Sequence, residues 1–152
     1  MKKFFITLFI RQNKHHRHSV LIHTLKVFWF AILSGRKRFV VAALLHDIGK
    51  PFMATLKADG HDYSFTNHEE KSYQMIKWCP FISRYTKDLI RYHYIIRRIS
   101  KDAKKLTEGK NSSNGDPITK ESVQKLVCTY NSFSREFKRD LKMFQKLDDK
   151  GK

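Results

Sequence analysis

Apolar positions recur at helical spacing along most of the chain. Val40, Val41, Ala43, Leu44 and Leu45 form an apolar helical stretch, and Gly49 and Pro51 follow in the order that ends a helix. Upstream, Leu25, Val27, Phe28, Phe30, Ala31 and Ile32 give a helix with a broad apolar face; downstream, Tyr73, Met75, Ile76 and Trp78 mark another. The pattern predicts segments over 2–11, 17–34, 37–48, 68–78, 81–98, 119–130 and 132–147, the first a helix or strand packed on the core. The expected fold is all-α, a bundle of about six to seven helices. Lys101 to Asp116 is polar and rich in Gly, Ser and Asn, so a mobile loop is expected at about 101–116. Pro117 then breaks the chain, and Thr119 can cap the next helix. Met53 to Tyr63, with Asp59-Gly60 inside it, predicts a flap or small hairpin.

His46 and Asp47 fall at the apolar end of the 37–48 helix. A carboxylate there is costly unless a cation, a metal or hydrogen bonds compensate it, and an adjacent imidazole and carboxylate make half of a divalent-ion site. Alone, such a pair is ordinarily a helix-terminal His beside a solvated Asp. Partners elsewhere change that balance. His23 lies near the start of its helix, His68 opens the helix after Tyr63-Ser-Phe-Thr-Asn, His93 sits in the middle of the 81–98 segment, and Asp148 and Asp149 precede Gly151. His15, His16 and His18 stand with Lys14 and Arg17 and read as solvated polar residues at a helix start, while His61 reads as a turn residue.

These motifs resemble the signature of the HD-domain metal-dependent phosphohydrolases over roughly residues 15 to 152. The style is closest to the HD domains attached to tRNA nucleotidyltransferases, through His23 to Val27, Ala43 to Lys50, Ser64 to His68 and Asp148 to Lys152. The resemblance implies a single HD domain over 1–152, standing alone because no room is left for a nucleotidyltransferase head. It implies His23, His46, Asp47, His68, His93 and Asp148 as ligands of one or two divalent ions, drawn from Mn, Fe, Co, Ni, Zn or Mg. Two positions have competitors: His18 for His23, and Asp149, or Asp140 in the same helix, for Asp148. Asp47 and Lys50 take catalytic roles, and Lys50, Arg91 and Arg97, with Arg98 nearby, are candidates to contact substrate phosphate. The implied activity is a phosphomonoesterase or phosphodiesterase acting on nucleotides or RNA ends, 2′,3′-cyclic phosphates included, through a metal-bound hydroxide. The same ligands would serve a nucleotide triphosphohydrolase or 5′-nucleotidase. A third reading, a nucleic-acid-binding module that turns over nothing, would be marked by loss of the last acid.

Composition narrows the partners. The 152 residues suit one domain, and 41% hydrophobic content with 12 Phe argues for a globular core. Lys and Arg number 31 against 14 Asp and Glu, a net +17 that attracts polyanions, so a nucleotide or nucleic-acid substrate is expected. Cys79 and Cys128 have neither metal nor redox spacing, which fits a reduced, cytoplasmic setting. Lys2 and Lys3 precede an apolar run, Phe4 to Ile10, that imitates a signal peptide without its small-residue cleavage site. No segment approaches transmembrane length, so no membrane partner is expected.

Overall fold

Helix α1, Val20–Leu33, begins where Ser19 accepts a hydrogen bond from the Ile22 amide, and α2, Lys37–Leu45, returns against it. The computed structural model describes residues 11–13, 16–56, 63–112 and 115–152. The remaining elements follow in order: the short α3, Lys50–Met53; α4, His68–Ile76; α5, Arg84–Tyr92; α6, Ile95–Thr107; α7, Lys120–Ser132; and α8, Arg135–Lys150. Two small antiparallel pairings accompany them, β1 (Arg11–Asn13) with β2 (His16–Ser19) and β3 (Thr55–Leu56) with β4 (Tyr63–Ser64). The fold is all-α in its core, as expected, and β3 and β4 pair antiparallel where a flap or small hairpin is predicted between Met53 and Tyr63, with residues 57–62 outside the described ones. Most of the expected 2–11 segment lies outside the described residues, as do His15 and His61, and so does the side chain of His18.

Three expectations on boundaries are corrected. The 17–34 helix starts only at Val20, because residues 16–19 are extended and paired in β2. The 81–98 segment is two helices, and His93 caps α5 instead of occupying a helix centre. An unbroken helix carrying Leu89, Ile90 and His93 inward would turn Ile95 to roughly the opposite face; the break at His93–Tyr94 returns Ile95 to the core. The expected loop at 101–116 begins only after α6 ends at Thr107, because Ile95, Ile96, Ile99, Ala103 and Leu106 sustain helical spacing through the polar sequence.

The core gathers Val27 and Ala31 of α1, Phe39, Ala42 and Ala43 of α2, Leu89 and Ile90 of α5, and Leu141 and Phe144 of α8, all fully buried. Phe144 packs edge-on against Phe39 at 5.8 Å and against His46 at 5.7 Å between ring centroids, so apolar packing passes directly into the imidazole cluster described below. Helix α8 presents a buried stripe of Asp140, Phe144, Leu147, Asp148 and Gly151, at helical spacing. Asp140, at its far end, accepts from Arg36 at 3.0 Å and from the Tyr85 hydroxyl at 2.7 Å, and Arg38 stands 3.1 Å away. Three charged or polar donors thereby satisfy one buried carboxylate and tie α2, α5 and α8 together.

Burial, with the hydrogen bond to Asp140, pushes the Tyr85 phenol up to about 12. The unfolded phenol ionises near pH 10, so stability contributed by the neutral group is complete below that pH and falls as pH rises through the folded value. Tyr85→Phe is expected to cost about 1–2 kcal/mol at pH 7 and to flatten the alkaline decline in urea midpoint. A midpoint unchanged by the substitution at pH 7 and across the alkaline range would contradict the role given to this bond.

Candidate metal centre

Four elements converge on the Asp47 carboxylate. The turn after α2 delivers His46 and Asp47, α1 delivers His23, the start of α4 delivers His68, and the end of α5 delivers His93. Around Asp47 Oδ2 stand His23 Nε2 at 3.4 Å, His46 Nε2 at 3.2 Å and Lys50 Nζ at 2.5 Å. Around Oδ1 stand His68 Nε2 at 3.3 Å and His93 Nε2 at 4.0 Å. Asp148 completes the group from α8, its Oδ1 lying 2.8 Å from His23 Nε2 and 3.4 Å from His46 Nε2. All are buried. Two triads with mutually close donor atoms result, His23–His46–Asp47 and Asp47–His68–His93, and Asp47 belongs to both.

Local backbone geometry sets the imidazoles. His46, His68 and His93 each place Nδ1 within 2.7–2.8 Å of the carbonyl three residues earlier, at Ala43, Phe65 and Ile90. A carbonyl accepts only, so Nδ1 carries the proton and Nε2 is directed inward in all three. This is the arrangement that orients histidine ligands. Ser72 couples the turn to α4: the Gly49 amide donates to its hydroxyl at 2.9 Å, and the hydroxyl donates to the His46 carbonyl at 2.8 Å. Gly49 is a steric requirement, since a Cβ there would lie 2.5 Å from the His68 carbonyl oxygen and 2.7 Å from the Ser72 amide. Gly151 is another, with a Cβ falling 2.5 Å from Val27 Cγ2 and 3.1 Å from His23 Nδ1. The last turn of α8 thus closes against His23 and brings Asp148 in.

The charge balance is that of a cation site. Both Asp47 oxygens and His46 Nε2 are buried without a hydrogen bond of ordinary geometry, a state that normally requires a compensating ion or partner. Burial pulls the His46 imidazolium down, but Asp47 and Asp148 outweigh it and hold the group at about 9. Burial pushes the Asp47 carboxyl up, and His46 and Lys50 more than reverse this, leaving it well below the carboxylate range. His93 is driven down to about 3 by burial and by His46 and His68, so it is neutral and ready to donate a lone pair. The donor set of imidazoles and carboxylates fits a divalent transition ion.

The cluster lies at the base of a cavity of about 710 Å³ whose walls include Lys50, Tyr63, Phe65, Glu69, Arg97 and Lys101. Lys50 Nζ also lies 5.8 Å from the centroid of the Phe65 ring. Arg97 pairs with Asp148 and, at 2.7 Å, with Asp149. Asp149 therefore points outward to Arg97 and Lys152, and it is Asp148 that joins the histidines. Asp140 lies two turns back, in the Arg36–Tyr85 group. Arg91 is displaced from its expected place: it pairs with Glu70 at 2.7 Å, stacks over Tyr73 at 4.5 Å and lines a different cleft. Two residues before His93, it faces away when His93 faces in. The sequence reading missed Glu69, Lys101 and Lys105, which line the cavity; Arg98, named there with Arg97, also lines it and bonds Asn67 at 2.8 Å and Glu69 at 3.2 Å at the start of α4.

An ion bound at His46 Nε2 must displace the proton that the imidazole retains up to about pH 9. Affinity for Mn or Zn is therefore expected to rise between pH 7 and 9, and calorimetry in buffers of differing ionisation enthalpy to report about one proton released. Affinity unchanged over that range would place the ion away from His46.

No helix among the described residues is long and apolar enough to cross a membrane. Compared with curated proteins, the chain matches none. The HD domain family model matches residues 20–127, spanning α1 through most of α7 and taking in His23, His46, Asp47, His68 and His93. Asp148 reaches the cluster from α8, beyond that match. By sequence match and by the histidine–aspartate cluster in an all-helical fold, the chain belongs to the HD domain family, whose members are generally metal-dependent hydrolases.

Proposed function

We propose that the protein is a metal-dependent phosphohydrolase acting on phosphate esters of nucleotides or on RNA ends, 2′,3′-cyclic phosphates included. The observation that carries this reading is the pair of triads sharing Asp47 at the base of a cation-lined cavity. His23, His46, Asp47 and Asp148 would hold one ion, and Asp47, His68 and His93 a second. Bound there, an ion supplies a Lewis acid for a phosphoryl oxygen and lowers the pKa of a water it holds.

The chain's own residues do the rest. Asp47 joins the two triads and fixes their mutual position. Lys50, buried and 2.5 Å from Asp47, offers an ammonium to phosphoryl oxygens in the same space. Arg97, fixed by Asp148 and Asp149, stands where an ester oxygen would enter. Phe144 beneath the rings keeps the base dry, which strengthens each of these electrostatic contacts. The seat of Asp148 beside His23 favours catalysis over a binding module, whose mark would be a missing last acid. Resemblance of the His23 to Val27 and Ala43 to Lys50 motifs to nucleotidyltransferase HD domains favours RNA ends over free nucleotides.

Hydrolysis is the test, read as phosphate released from nucleotides and 3′-phosphate-ended RNA and as ring-opened monoester from cyclic nucleotides, with Mn, Co, Ni or Mg. Wild type is expected to turn over only with metal, and Asp47→Ala to lose about 10²–10³-fold in kcat/KM, as removal of a key electrostatic group does. Release confined to nucleoside triphosphates or 5′-monophosphates would shift the reading to a triphosphohydrolase or 5′-nucleotidase. Salt-dependent RNA binding without any turnover would overturn the hydrolase reading.

A further inference from the structure

The cavity above the cluster continues outward along α6. Arg97, Lys101 and Lys105 follow at i, i+4 and i+8, and all three line the same cavity as Asp47 and His68. By helical rise the row covers about 12 Å in steps of about 6 Å. Phosphates joined through a single bridging oxygen would crowd within one step, whereas a nucleic-acid strand sets one charge per nucleotide along its length. The row begins beside Asp148 and leads away from it, so it has a direction as well as a spacing.

A second wall carries a different chemistry. Tyr63 and Phe65, two residues apart and so on one face of extended chain, have ring centroids 6.4 Å apart at an interplanar angle of 30° and border the same cavity. Two aromatic rings and a row of cations lining one cavity are the two parts of a single-strand binding surface, where bases stack and phosphates pair. Of the cavity's acids, Asp148 pairs with Arg97 at the inner end of the row, while Asp102 is met by Arg98 at 3.6 Å and Glu69 by the same guanidinium at 3.2 Å.

Resting on the hydrolase reading, we infer that the substrate is the phosphate-bearing end of a single-stranded nucleic acid, with its next two phosphates seated on Lys101 and Lys105 and its bases against Tyr63 and Phe65. Mononucleotides and contiguous polyphosphates fill only the inner part of such a site.

The test uses metal-free protein and fluorescein-labelled single-stranded RNAs of one to six nucleotides with a 3′-phosphate, read by anisotropy. Affinity is expected to climb over the first three nucleotides. Lys101→Ala/Lys105→Ala should weaken the trimer by about tenfold, leave the mononucleotide within about twofold, and lower the slope of log K against log salt by about 1.4. Lys125→Ala/Lys142→Ala, the same charge change at exposed positions on α7 and α8, should do neither. Equal weakening by the two pairs, parallel loss of mononucleotide and trimer, or tighter binding of a nucleoside triphosphate than of the trimer would overturn the inference. Metal-supported hydrolysis of p-nitrophenyl phosphate or of bis(p-nitrophenyl) phosphate separates the two readings. Turnover without length dependence overturns the strand alone, and length dependence without turnover overturns the hydrolase.

Discussion

A single buried carboxylate, Asp47, sets the terms for the whole fold. Four imidazoles and one ammonium crowd its two oxygens, and no arrangement of those groups is stable in an apolar interior unless positive charge and lone pairs balance. The scaffold devotes an unusual share of its constraints to this balance. Three histidines spend Nδ1 on a local carbonyl, Ser72 locks the turn to α4, and two glycines are required because backbone and His23 come too close for a side chain. Removing one partner from such a network costs more than its own contact, because the others are left facing like charge or nothing.

Helix α8 balances polar demands at both ends. Asp140 closes a three-donor group against α2 and α5, and Asp148, two turns on, closes the histidine–aspartate cluster against α1 and α2. Phe144 between them supplies the apolar filling that holds both carboxylates at a fixed separation from the bundle. The last turn is therefore pinned, with Gly151 buried against Val27 and His23.

Much of this is legible in the sequence. The His-Asp pair at the end of an apolar run, the His23 helix and the His68 motif depend on local spacing, and local spacing is what a sequence displays. Asp148 and Asp149 are adjacent and the sequence leaves both open; the packing of Gly151 against Val27 and His23 turns Asp148 inward. The break at His93–Tyr94 was not legible, since α5 and α6 are both amphipathic and only the required facing of Ile95 exposes the phase change. Arg91 was placed near His93 by linear proximity, although two residues along a helix reverse the direction of a side chain. Lys101 and Lys105 were hidden in a stretch whose polarity read as loop; the faint period of Ile99, Ala103 and Leu106 was the available signal.

The central claim is that Asp47 organises a divalent-ion centre. Anomalous diffraction at the Mn edge from crystals grown with MnCl2 tests it most directly. The account predicts anomalous density in contact with the Asp47 carboxylate and His46 Nε2, and its loss in Asp47→Asn crystals that keep the fold. Crystals with no anomalous peak at Asp47, or with the same peak in the variant, would contradict it.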